Sequence, residues 1–140
     1  MLSKADIPII DVIKKLASKG IEAGYLVPTE TGMKKSILDA HLSLKNYFSQ
    51  KGIHDFDNQR QGKNSKEVVD IFLVGADSLT KTKMSLYRPE SKSGDPRLCV
   101  YGLAKYCQPW NLLVFIENLG RLYLVNASSK EIFDSINIQN

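Results

Sequence analysis

The period of the hydrophobic residues changes once along this chain, and that change restricts the fold more than any other feature. Up to about residue 50 the apolar residues recur at helical spacing. From Val68 onward they alternate, or run in short blocks bounded by turn residues. Helices first and strands afterwards is the order of an α+β fold, with a mostly antiparallel sheet or partly open barrel. A doubly wound fold would interleave the two periods.

In the helical part, Ile9, Ile10, Val12, Ile13, Leu16 and Ala17 make one apolar face. Asp6 can cap its start, Pro8 suits the first turn and Gly20 provides a stop. Tyr25-Leu26-Val27 is a short extended piece ended by Pro28, and residues 29–35 are polar and turn-like. The spacing predicts a second helix over 36–50, with Ser36 as N-cap and Gly52 as stop. Ile37, His41, Leu44 and Phe48 fall on its stripe, which makes His41 a core histidine. Residues 54–66 are almost wholly polar and are expected to form a loop.

In the strand part, residues 68–74 form a buried strand, and Gly75-Ala76-Asp77-Ser78 a turn. Lys81, Lys83 and Ser85 alternate with Thr82, Met84 and Leu86. Pro89, Gly94 and Pro96 shape a loop. Residues 98–101 are a further strand, 103–107 a helical turn, and 112–125 a hairpin around Glu117–Arg121. Ile132, Phe133 and Ile136 suit a short terminal helix. No repeat is visible, and residues 1–140 are expected to be a single domain.

Charge is concentrated. Residues 81–105 carry six basic side chains against two acidic, whereas the rest of the chain has thirteen of each. A hydrophobic content of 43% excludes a disordered basic tail. Two cysteines make no disulfide framework, no apolar run approaches the roughly 18–20 residues of a membrane span, and Met1–Asp6 lacks a signal-peptide pattern. A cytoplasmic protein with reduced thiols and no membrane partner is the expectation.

Catalytic motifs fail on inspection. Gly32-Met33-Lys34-Lys35-Ser36 lacks the glycine–lysine pair and upstream glycine of a phosphate loop. Cys99 and Cys107 stand at no recognised ligand spacing, so no metal site and no cofactor are expected. Glu90-Ser91-Lys92, with Asp70 as an earlier acid, has the lettering of a magnesium nuclease. Pro89 before the triplet and Gly94 and Pro96 after it place it in a loop, which cannot hold metal ligands to the needed tolerance without support. No catalytic residue is therefore assigned, and magnesium would enter only under that alternative.

A binding surface fits better. Lys81, Lys83, Ser85 and Tyr87 would project from one strand face. Arg88, Lys92 and Arg97 follow in the shaped loop, with Tyr101, Lys105, Tyr106 and Trp110 beyond, Trp110 being expected in the core. Cations suit phosphates, forked donors suit base edges, and aromatic faces can stack. Thr29, Thr31, Lys34 and Lys35, beside a helix start, make a second strip. The plainer alternatives are a lysine-protected edge strand and a capping turn with exposed lysines.

Gly24–Ser36, Gly52–Phe56, Ser85–Pro89, Gly94–Arg97 and Trp110–Leu113 together resemble an N-terminal region of bacterial restriction endonucleases of the MvaI/BcnI type, over residues 20–127. In those proteins the region precedes a catalytic domain with Glu-x-Lys in a short strand, which this sequence does not show. The strand-loop-strand around Arg88–Arg97 is more loosely similar to the pseudobarrel effector domain of restriction enzymes that need a second DNA copy. The resemblance implies a DNA-binding specificity or effector domain of a type II site-specific deoxyribonuclease. Its partners would be double-stranded DNA and a catalytic nuclease domain in the same or another chain. The expected contacts are Lys81, Lys83, Tyr87, Arg88, Lys92 and Arg97, with Thr29, Thr31, Lys34 and Lys35 as the second strip. Two alternatives stand beside it: a compact magnesium endonuclease using Asp70, Glu90 and Lys92, and a protein-interaction module whose basic surface meets an acidic partner.

Overall fold

The computed structural model describes residues 6–19 and 22–134, without the side chains of residues 6–9 and 92. Gly20, Ile136 and the side chains of Asp6, Pro8, Ile9 and Lys92 therefore lie outside the described residues. Helix α1 spans Asp6–Lys19, where the apolar spacing predicts it, and buries Ile10, Ile13 and Ala17. Strand β1 (Gly24–Leu26), helix α2 (Glu30–Lys35), strand β2 (Leu38–Asp39) and helix α3 (Leu42–Gln50) follow. Two short 3-10 turns then lead to β3 (Glu67–Val74), β4 (Leu79–Tyr87), β5 (Arg97–Val100), α4 (Leu103–Tyr106), β6 (Leu113–Asn118), β7 (Arg121–Asn126) and α5 (Lys130–Asp134).

The seven strands make one curled sheet in the order β1-β6-β7-β3-β4-β5-β2. Every pairing is antiparallel except β3 with β7. The α+β class and the mostly antiparallel, half-barrel sheet follow the order of hydrophobic periods in the sequence.

Side chains alternate across a strand, so each strand feeds two faces. The inner face carries Ile71, Leu73, Met84, Leu86, Leu98, Phe115 and Leu124, closed by Leu44 and Phe48 of α3 and by Phe56. Each such side chain contributes roughly 1.5–3 kcal/mol on burial. Helix α3 reaches β1 because residue 24 is glycine: a Cβ there would stand 2.6 Å from Leu44 Cδ1. On the outer face, α1 packs Ile10, Ile13 and Ala17 against Val114, Ile116, Tyr123 and Val125, with Ile132 of α5. That covers β6 and β7. Across β4 and the start of β3 no helix among the described residues lies over the outer face, and Val68, Asp70, Lys81 and Lys83 are exposed.

Several expectations need correction. The second helix starts at Leu42, and its N-cap is His41, not Ser36. Ser36 is instead the left-handed C-cap of α2, the helix that replaces the expected turn over 29–35. Leu38 is buried by pairing with Leu98, so a sheet contact outweighs the helical spacing there. His41 is consequently exposed, and only Leu44 and Phe48 of its supposed stripe are buried. Val68 is 47% exposed, so the expected buried strand is buried only toward its C-terminal end. Trp110 is not in the core but 66% exposed, in a turn with φ of 72°. Strand β4 lies inside the sheet between β3 and β5, which removes the edge-strand explanation of its lysines.

Candidate nucleic-acid interface

The open half of the outer face is organised by register. Across β3 and β4, Asp70 is opposite Lys83 and Phe72 is opposite Lys81. Across β4 and β5, Cys99 is opposite Ser85 and Arg97 is opposite Tyr87. Lys81, Lys83, Ser85 and Tyr87 thus share one face. The two lysines are more than half exposed and Ser85 is buried. Lys83 Nζ donates to Asp70 Oδ1 at 2.7 Å, and Lys81 Nζ lies 3.5 Å from Oδ2. The hydrogen bond from Lys83 is the main cause that holds the Asp70 carboxyl below its ordinary pKa.

Two further cations belong to this face. Lys66 Nζ lies 5.3 Å from the Tyr87 ring centroid, and the Arg121 guanidinium 5.0 Å from that of Phe72. Neither was among the residues singled out from the sequence. The signal for Lys66 existed: the turn over 75–78 fixes the β3–β4 register, and one step past Glu67↔Leu86 sets residue 66 against Tyr87. Desolvation in the same cluster raises the pKa of Tyr87 and of the Cys99 thiol.

At the far end of β4 this face runs into a cleft of about 340 Å³ between α2 and β2, lined in part by Thr29, Thr31, Lys35, Asp39, His41, Tyr87 and Arg97. Residues from the two candidate strips, about sixty positions apart in sequence, therefore share one concavity. Thr29 already has a role: its hydroxyl caps α2 by accepting from Gly32 N at 2.9 Å. Lys34 is exposed on α2 but is not part of the lining. Arg97 forms an ion pair with Asp39 and is largely buried. His41 was missed because helical spacing assigned it inward. The main chain of Trp110 sits close by, its backbone N–H donating to the carbonyl of Pro28, a cleft residue, at 2.8 Å.

Arg88 has a different setting. Its Nε donates to Gly94 O at 2.8 Å and one terminal nitrogen to Gln59 O at 3.1 Å. Its guanidinium ties the loop after β4 to the 3-10 turn before β3, so Arg88 is a structural clamp before it is a contact for any ligand. The side chain of Lys92 lies outside the described residues. Asp70 and Glu90 are not brought together: Asp70 lies mid-hairpin against Lys83, while Glu90 lies beyond the open end of that hairpin beside Gly62. Tyr101 and Lys105 are exposed, and the Tyr106 hydroxyl is bound to the main chain of Val74, Leu124 and Asn126. Among the described residues, no cluster of three or more His, Cys, Asp or Glu side chains is placed to hold a metal ion, and no helix is long and apolar enough to cross a membrane.

Such a surface can take a polyanion. Ammonium groups at strand spacing, threonine hydroxyls and an exposed histidine present donors along a track that bends into a cleft. Comparison with protein-family models, with curated proteins and with solved structures returns no match for this chain.

Proposed function

We propose that the chain binds double-stranded DNA through the open face of β4 and the adjoining cleft. It does so as a specificity or effector domain of a restriction-endonuclease-like protein of the MvaI/BcnI type, and cutting is left to a separate catalytic domain. The observation that carries this reading is the convergence of Thr29, Thr31 and Lys35 with Tyr87 and Arg97 on one cleft, in line with Lys81 and Lys83. Lys81, Lys83 and Lys66 contact phosphates, Lys35 and the threonine hydroxyls hold the backbone that enters the cleft, and Tyr87 packs against a sugar or base. Arg97 joins only by exchanging Asp39 for a phosphate. Arg88 leaves the contact set.

Fluorescence anisotropy with labelled duplexes over a salt series tests this. The expected log–log slope of affinity against salt is steeper than about −2, the signature of several phosphate contacts. A flatter slope, or no binding at low salt, would leave the interaction with an acidic protein partner as the better reading. Plasmid incubated with the protein and magnesium should stay intact. Cleavage that disappears in Glu90→Ala would replace the binding reading with the nuclease one.

A further inference from the structure

The lysines of the β4 face are flexible point charges, which suit phosphates. Telling one base from another is better done by a forked donor such as Arg or a two-headed amide such as Asn. The chain has four arginines. Arg88 is held by carbonyls, Arg97 by Asp39, and Arg121 lies over the ring of Phe72. Arg60 is the fourth, and it is exposed.

Arg60 belongs to residues 57–66, a segment without a single apolar side chain. Such a segment cannot fix itself by burial. Hydrogen bonds tie it instead to the end of β4 and the loop beyond. Gln59, only 9% exposed, donates through Nε2 to Ser65 O and Leu86 O, both at 2.8 Å, and its Oε1 lies 2.9 Å from His54 Nε2. Gly62 N donates to Arg88 O at 2.7 Å and Gln61 Nε2 to Pro89 O at 3.1 Å. The Arg88 guanidinium adds its bond to Gln59 O. Asp57, the one acid of the segment, is paired with Lys45, so Arg60, Lys63 and Lys66 leave it positive. Side chains carried on a main chain held this way are preorganised for a ligand.

Arg60 and Asn64 line a polar hollow of about 440 Å³ together with Lys66 and Glu67. Among the described residues, no ion pair or side-chain hydrogen bond holds Arg60, Asn64 or Glu67. Phosphate oxygens only accept, so a surface for the backbone alone needs only donors. Here the Glu67 carboxylate and the Asn64 amide oxygen set acceptors among donors, which is the mixed pattern that base edges present. Lys66 joins the hollow to the β4 face, because its Nζ lies 5.3 Å from the ring centroid of Tyr87, which shares that face with Lys81 and Lys83. We infer that Arg60 and Asn64 read the sequence of the bound duplex, Arg60 donating to O6 and N7 of a guanine and Asn64 pairing with N6 and N7 of an adenine in the major groove. The inference rests on the duplex binding proposed above and sets base reading in a segment apart from the phosphate contacts.

The test is selection of binding sites from a randomised duplex library by the parent chain and by Arg60→Ala, Asn64→Ala and Lys63→Ala, followed by anisotropy on the selected site. All three side chains are exposed, so the fold survives each change. Arg60→Ala should lose the preference for guanine at one position and Asn64→Ala that for adenine at another, each weakening the selected site by about tenfold or more. Lys63 is outside the hollow, and Lys63→Ala removes the same charge as Arg60→Ala. It should keep the motif and weaken selected and random duplexes alike. A motif that Arg60→Ala or Asn64→Ala selects unchanged overturns the inference, as does one that Lys63→Ala loses in the way Arg60→Ala does. A parent that binds duplexes without enriching any motif overturns it too, and each of these results leaves duplex binding in place. A parent that binds no duplex at low salt removes both readings.

Discussion

Asp70 and Lys83 face each other across the β3–β4 pair, with Lys83 Nζ 2.7 Å from Asp70 Oδ1 and Lys81 approaching the other carboxylate oxygen. One carboxylate therefore offsets part of the charge of two exposed lysines at the centre of the proposed DNA surface. Asp70→Asn removes that offset and keeps the shape of the side chain. Duplex affinity should rise about three- to tenfold at low salt, with a steeper salt slope. Lys83→Ala should weaken binding evenly across sequences and flatten the slope by about 1. Anisotropy measures both. An Asp70→Asn protein that binds no tighter would mean that phosphates do not approach this face.

The two ends of the Arg88 side chain define a stability prediction. Arg88→Ala leaves the carbonyls of Gly94 and Gln59 without their charged donor and should lower stability by about 2–4 kcal/mol in urea unfolding. Arg88→Lys cannot restore the fork and should recover only part of the loss. DNA affinity of the folded fraction should change little. A variant of normal stability that fails to bind DNA would return Arg88 to the interface.

How far the sequence disclosed this molecule can be judged at single residues. Strand alternation placed Lys81, Lys83 and Tyr87 on one face correctly, because a period of two is a local property. The hairpin around Leu119-Gly120 and the first helix were legible for the same reason. Ser36, Leu38 and His41 were not. Their helical spacing is real, but the pairing of Leu38 with Leu98, sixty residues away, overrides it. Arg88 and Arg97 looked alike in sequence as loop cations. Only the fold reveals that carbonyls hold one and Asp39 holds the other. Trp110 was assigned inward by its apolar neighbours, and the positive φ that exposes it leaves no trace in composition.

The β6–β7 turn offers a gain in stability. Leu119 and Gly120 both have positive φ, 52° and 83°, as in the tight turns that favour Asn-Gly. A leucine in that conformation is strained, and this one is 92% exposed, so it stabilises little by burial. Leu119→Asn should add about 1 kcal/mol and raise Tm by roughly 3–5 °C in a calorimetric scan. An unchanged or lower Tm would show that the turn tolerates leucine without cost.

Lys14 gives a prediction in pH. It lies on α1 with 1% of its surface exposed, and its Nζ donates to the carbonyl of Ala76 in the β3–β4 turn. Burial lowers its pKa from the ordinary 10.5, against the raising effect of Asp11 and Asp77. The unfolded chain thus binds this proton more tightly than the folded one does, and the Lys14 contribution to stability must improve as pH rises toward 10.5. Other groups act in the opposite direction, since the Cys107 thiol, pushed up to about 11 by burial, favours the folded state less above its ordinary value. Comparing the parent with Lys14→Met cancels those shared terms. The variant should be between unchanged and about 2 kcal/mol more stable at pH 7. That advantage should shrink or reverse by pH 10, as urea midpoints at pH 7, 8.5 and 10 would record. A difference that stays constant with pH would mean the Lys14 ammonium keeps its charge in the fold at no cost.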